Sequence, residues 1–441
     1  MRHIGIRGLA MAILLMLLAN GCATPRWLRN TWPFKKKVDS NYKERTFDAD
    51  HQPGLPKEKV KQTPKKEDTV SVEKLEKMAK GGNSNAQLAL GKMYFDGSGG
   101  VKKDHKKALM WFRKAAAVGS GRAMFNIGLC YDGGFAVEQS LKEAMKWYVK
   151  AADAGVPEAQ AKVAVMAESM GDYDTALRYL RYRAEDGDTA SMRKVAVYIL
   201  NGMGESAPPS EAVRFLKMAA EKGDPNSMVK LADCYQRGMG VERDYYEMLN
   251  WLTIAAQDGN PEAQTKLGYC YQAGIGCTKN SDEAAKWYRV AAQAGYAPAQ
   301  VNIGNCYRDG RGVPVDKAVA FEYYLQAAEQ GDAMGEASLA LAYLLGIGTQ
   351  KDEKLAFTFM KRAADQEDTA AQMQLASFYE KGVGTEVNLE EAFRYYKLAA
   401  DGGEAEACLT VSKWLSQGRG TKKDEIAAKK YLEKAKELAN K

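Results

Sequence analysis

Two apolar registers alternate along most of this chain, each at helical spacing, and the alternation recurs every 36 residues. A glycine marks the period at Gly119, Gly155, Gly187, Gly223, Gly259, Gly295, Gly331 and Gly403, with Glu367 at the one marker position that lacks it. A single interval, from Gly155 to Gly187, is 32 residues long. Eight residues before each marker stands an aromatic ring: Trp111, Trp147, Tyr179, Phe215, Trp251, Trp287, Tyr323, Phe359, Tyr395 and, in the last unit, Tyr431. Two small residues follow four positions later, as in Ala115-Ala116 or Ala291-Ala292, so ring and pair share one helical stripe. This stripe defines a helix B.

Fifteen residues before the marker come Asp104, Ser140, Asp172, Asp244, Asn280, Asp316, Asp352, Asn388 and Asp424, with Pro208 breaking the series. Short polar side chains there accept bonds from first-turn amides, worth about 1 kcal/mol each. Ser140 with Glu143 completes a capping box. Upstream lies a helix A, carried by Ala123, Ile127, Gly128 and Tyr131 or by Ala299, Ile303, Gly304 and Tyr307. It ends at a turn such as Gly310-Arg311-Gly312-Val313, where glycine supplies left-handed backbone.

A period of this length predicts a solenoid, because no single unit can bury its apolar face alone. The expected fold is all-α, an α/α superhelical solenoid of about ten helix-turn-helix units over residues 84–441. The third unit lacks four residues and the Gly-x-Gly turn, passing from Met170 through Gly171-Asp172 into helix B. That short connection should alter the local twist and divide the array near residue 171. Residues 71–83 should form an N-terminal capping helix, with Leu75, Met78 and Ala79 in helix B positions, while Ala435 and Leu438 close the far end.

Cap, ring, alanine pair and glycine turn together closely resemble the Sel1-like repeat family, a subclass of the tetratricopeptide repeats, over residues 84–441. The resemblance implies protein binding without a cofactor. In related solenoids helices A line the concave face, which here would present Lys230, Asp233, Arg237, Lys266, Tyr269, Asn302, Asn305 and Arg308 as candidate binding residues.

The opening residues follow a different pattern. Arg2 and Arg7 precede an apolar run of about a dozen residues, too short for the roughly 20 that a spanning helix needs, so residues 1–21 are expected to be a signal peptide. Leu18-Ala19-Asn20-Gly21-Cys22 resembles a bacterial lipobox, departing from it at Asn20, and implies acylation of Cys22. By the same resemblance, Ala23 favours an outer-membrane, periplasm-facing lipoprotein. Residues 22–70, with Pro25, Pro33, Pro53, Pro56 and Pro64 among Lys and polar residues, are expected to be a disordered tether.

The net charge of +7 sits almost wholly in that first part: +2 in residues 1–22, +5 in 23–70, and 49 charges of each sign beyond. A neutral body disfavours nucleic-acid binding, which needs a phosphate-neutralising face. With only His3, His51 and His105, a histidine-based catalytic unit or metal site has little material. No carboxylate spacing supports a glycosidase arrangement. Catalytic and metal residues are therefore expected to be none.

Cys130, Cys234, Cys270 and Cys306 share one register, on helices A expected about 9–10 Å apart, beyond the roughly 7 Å that a disulfide tolerates. They read as small buried apolar residues. Cys270 and Cys277 bracket one turn, and a disulfide there stays open. The leading expectation is a lipid-anchored envelope scaffold for other envelope proteins. Assembly of an outer-membrane polysaccharide-secretion apparatus is a second, by resemblance, and peptidoglycan binding or cell-wall action a third.

Overall fold

The computed structural model describes residues 71–439. The leader, Cys22 and the basic tether, with the lipidation and sorting expectations that rest on them, lie outside the described residues.

Helix α1 (Val72–Lys80) is followed by ten pairs of one helix A and one helix B. They are α2 (Ser84–Asp96) with α3 (His105–Ala117), α4 (Gly121–Gly133) with α5 (Leu141–Asp153), and α6 (Pro157–Ser169) with α7 (Tyr173–Glu185). Next come α8 (Thr189–Leu200) with α9 (Pro209–Glu221), α10 (Pro225–Arg237) with α11 (Tyr245–Gln257), and α12 (Pro261–Ala273) with α13 (Ser281–Gln293). The series closes with α14 (Ala297–Asp309) and α15 (Lys317–Glu329), α16 (Ala333–Leu345) and α17 (Glu353–Asp365), α18 (Thr369–Lys381) and α19 (Leu389–Asp401), then α20 (Ala405–Gln417) and α21 (Glu425–Ala439). The architecture is an all-α solenoid, as the periodicity requires.

Helix B starts where the polar series places it. Asp104, Ser140, Asp172, Asp244, Asn280, Asp316, Asp352 and Asn388 each accept a first-turn amide. Pro208 makes no side-chain cap bond, but Pro209 follows it in the first helical position, where a missing N–H costs nothing. Directly after the marker, Asn83, Asp188, Asp224, Asn260, Asp332 and Asp368 cap helices A in the same way, a second series that the reading of helix B overlooked.

Packing corrects the ring register. Trp111, Tyr179, Phe215 and Tyr395 are buried, but Trp147, Trp251, Trp287, Tyr323, Phe359 and Tyr431 are only half-buried. In several units the deeper knob is the next residue, as with Phe112, Tyr148, Tyr288 and Tyr324. Each lies on a helix A glycine: a Cβ on Gly91, Gly128, Gly268 or Gly304 would fall 2.4, 2.6, 2.8 or 2.7 Å from a ring carbon. Glycine in a helix interior costs roughly 0.5–1 kcal/mol, and here it admits an aromatic ring.

Two devices join successive units. Gln87, Gln160, Gln264, Gln300 and Gln372 on helices A donate to the carbonyls of Ala79, Ala152, Ala256, Ala292 and Ala364 on the preceding helix B. The second glycine of the turn rests on the first residue of the preceding unit's helix B, since a Cβ on Gly312 would sit 1.9 Å from the Ser281 carbonyl oxygen. The third unit has no such turn, and Leu141, the residue it would cover, is exposed. The apolar core nevertheless runs unbroken through that unit, from Ala144 to Cys270.

Helices A also pack directly on one another, α10 on α12, α12 on α14 and α14 on α16, whereas no pair of helices B among the described residues packs to that extent. Helices A are therefore the inner layer.

Candidate functional site

On the inner layer, one register of helix A carries lysine in four consecutive units: Lys162, Lys194, Lys230 and Lys266. Three of them reach a carboxylate of the unit before. Lys162 Nζ lies 3.0 Å from Asp132, Lys194 Nζ 2.6 Å from Glu168 and Lys266 Nζ 2.6 Å from Asp233. Burial pushes the Glu168 carboxyl up, but hydrogen bonds from Lys194 and Tyr198 outweigh it and hold the group below its ordinary value. Beside the ladder, burial likewise opposes ionisation of Asp224, and its bonds from Ser227 and Arg193 prevail.

Lys230 is the exception. The positions that supply acids to its counterparts hold Val197 and Leu200, and Lys230 makes no ion pair or hydrogen bond among the described residues. It is half-buried on α10. Downstream the lysine register continues as Asn302, Ser338, Gln374 and Thr410, which are polar and uncharged.

The expected binding residues divide accordingly. Asp233 and Lys266 pair across α10 and α12. Asn305 accepts from the Tyr324 hydroxyl at 2.7 Å, and Arg308 pairs with Asp309 at 2.7 Å, so both already have partners within the seventh unit. Lys230, Arg237, Tyr269 and Asn302 have no bond of this kind among the described residues, and Tyr269 is 52% exposed. Lys162 and Lys194, with Asp132 and Glu168, belong to the same face and were missed. Register alone would have found the lysines, because they repeat at the period of the chain.

Burial pushes the thiols of Cys130 and Cys234 up to about 11 and that of Cys270 up to about 12, keeping them protonated at neutral pH. Cys270 and Cys277 are free thiols, and Cys277 Sγ lies 3.6 Å from the Cys270 carbonyl oxygen. No group of three or more His, Cys, Asp or Glu converges among the described residues. No helix there is long and apolar enough to cross a membrane.

Known proteins show the same repeat. The Sel1 repeat family matches nine segments, 84–120, 121–156 and seven more from 189 to 440, omitting only the shortened third unit. A solved structure of a protective antigen present in uropathogenic Escherichia coli strains, described as displaying an SLR fold, is 31% identical. It covers 83% of this chain and 79% of that one, with a TM-score of 0.52. A Sel1 repeat protein from Oxalobacter formigenes is 24% identical over 83% of this chain and 86% of its own, with a TM-score of 0.46. The HRD3A component of an ERAD-associated ubiquitin ligase from Arabidopsis thaliana is 44% identical over 57 residues, 13% of this chain. The chain spans only 8% of that relative's length. Repeats of this kind indicate a protein-protein interaction scaffold. With nine matched segments on a continuous solenoid, the chain belongs to the Sel1 repeat family.

Proposed function

We propose that this protein is a lipid-anchored scaffold of a bacterial cell envelope, outer-membrane and periplasm-facing, which holds protein partners on its layer of helices A. The observation that carries the binding face is Lys230: a half-buried cation without a counter-ion, in a ladder whose other members are neutralised from within. A partner carboxylate set there would give Lys230 the ion pair that its counterparts make within the chain. Tyr269, exposed one unit along, adds a rigid amphipathic ring of the sort enriched at interfaces. The anchoring half rests on the leader and on Leu18-Ala19-Asn20-Gly21-Cys22.

Two experiments test the halves separately. Photo-crosslinking residues placed at Lys230 and Tyr269 should capture the same envelope proteins in intact cells, and a residue at Lys286 on helix B should not. Equal capture from all three positions would remove the inner layer from the reading. Cys22→Ala should leave the chain unprocessed or move it from the membrane to the soluble fraction, and unchanged partition would remove the anchor.

A further inference from the structure

Equivalent residues close some of the seams between successive helices B and leave others open. Between the second and third units, Asp153 ends helix B and takes Arg178 at 3.2 Å and the Tyr179 hydroxyl at 2.7 Å from the next helix B. The same seam is closed by Arg214 on Glu185 at 2.8 Å, by Tyr395 on Asp365 at 3.2 Å and by Tyr431 on Asp401 at 2.7 Å.

Between the sixth and seventh units, as at the seams where Ala117, Glu221, Gln257 and Glu329 hold the acid's place, neither kind of closure is made among the described residues. The residues equivalent to Asp153, Arg178 and Tyr179 are Gln293, Glu322 and Tyr323. The acid has become an amide, the cation has become an acid, and neither Gln293, Glu322 nor the Tyr323 hydroxyl makes a hydrogen bond or ion pair among the described residues. At this place the structure opens a cleft of about 370 Å³, lined by these three with Gln300, Val319 and Gln326. That volume falls within the roughly 300–1,000 Å³ of small-molecule sites.

We infer that this cleft binds a neutral saccharide unit. The amides of Gln293 and Gln326 offer N–H donors, Glu322 offers acceptors, and the Tyr323 hydroxyl serves either way, which suits a ring of hydroxyls that both donate and accept. Gln300 forms a fixed floor, 4% exposed, with its amide held by the Ala292 carbonyl and by Gln330 at 2.8 Å. Val319 supplies apolar wall for the C–H side of a sugar ring. No Lys or Arg lines the cleft and Glu322 repels anions, so the ligand is not an anionic sugar. This ligand is independent of the protein partners proposed above.

Calorimetric titration of the full chain with maltotetraose, cellotetraose and the N-acetylglucosamine tetramer should give a millimolar or tighter Kd for at least one, the arm identifying a glucan or an acetamido sugar. Tetragalacturonate, the anionic control, should not bind. Gln293→Asp with Glu322→Arg restores the residues of the second seam and should weaken binding at least tenfold with thermal stability kept. Gln326→Leu, which puts there the residue that stands as Leu398 two units on, should weaken it as much and carries the test if the double variant does not fold. No binding by any neutral tetramer, binding unaltered in a folded variant, or binding of tetragalacturonate alone each overturns the assignment.

Discussion

Units three to six and units seven to nine share one backbone plan and are held together differently. In the former, Lys162, Lys194 and Lys266 on helices A bridge to carboxylates of the preceding unit. In the latter the lysine register is uncharged, and ring contacts form both within and between units. Tyr307 stacks on Tyr323, Tyr343 on Phe359 and Tyr379 on Tyr395, with centroids 5.9–6.0 Å apart. Phe321 and Phe357 from the units before meet Tyr343 and Tyr379 edge-on. The difference shows that the repeat prescribes where units touch, not which interaction joins them. Ion pairs leave a polar inner face open to partners, whereas aromatic contacts bury the cohesion.

The firmest way to break that comparison is to pry apart a ring-bonded seam. A Cβ on Gly348, at φ +68, would fall 2.0 Å from the Lys317 carbonyl oxygen, so Gly348→Ala should cost about 3 kcal/mol or more. In a solenoid the loss stays with near neighbours. Hydrogen exchange should therefore quicken in α15 to α17 and stay unchanged in α6 to α10, and a uniform loss would show that the two regions are not separable. Tyr343→Leu removes one stacked and one edge-on contact, and at about 0.5–1.5 kcal/mol for each pair should lower stability by about 1–3 kcal/mol in denaturant titration.

Next is a gain. Glu367 occupies the marker position at φ +65, where its neighbours in the series are glycine. Glu367→Gly should raise stability by about 1 kcal/mol, seen as a higher denaturant midpoint at unchanged slope. The smallest effect is expected in the lysine region. Lys194→Met should cost under about 1 kcal/mol at pH 7, because the pair is half-exposed. Glu168 titrates below its ordinary value, so its stabilisation is complete above the unfolded pKa and is lost as pH falls through the folded one. The gap between variant and parent should therefore close as pH falls through that lowered value, and a gap that persists in acid would assign the loss to packing.

Much of this could be read before folding, because caps and turns are local. Asp104 or Asp316 at a helix start satisfies amides within three residues, and Gly310 ends its helix by its own φ. Partnership across units was not readable in the same way. Tyr324 rather than Tyr323 fills the deep site because of how α15 turns against Gly304, and both residues are tyrosine. That Asn305 accepts a bond from Tyr324 could not be read from its place in the repeat. The short third unit suggested a change of twist near residue 171, and the apolar core passes through that unit because α6 and α7 keep their apolar faces.

The sequence by itself determined the all-α class, the period, the helix limits and the family, since each rests on contacts within a few residues of the chain. Tertiary structure decided which lysine is left without an acid and at which open seam a cleft forms. Those depend on residues about 30 positions apart meeting across a stacked interface, a distance over which the chain carries no local signal.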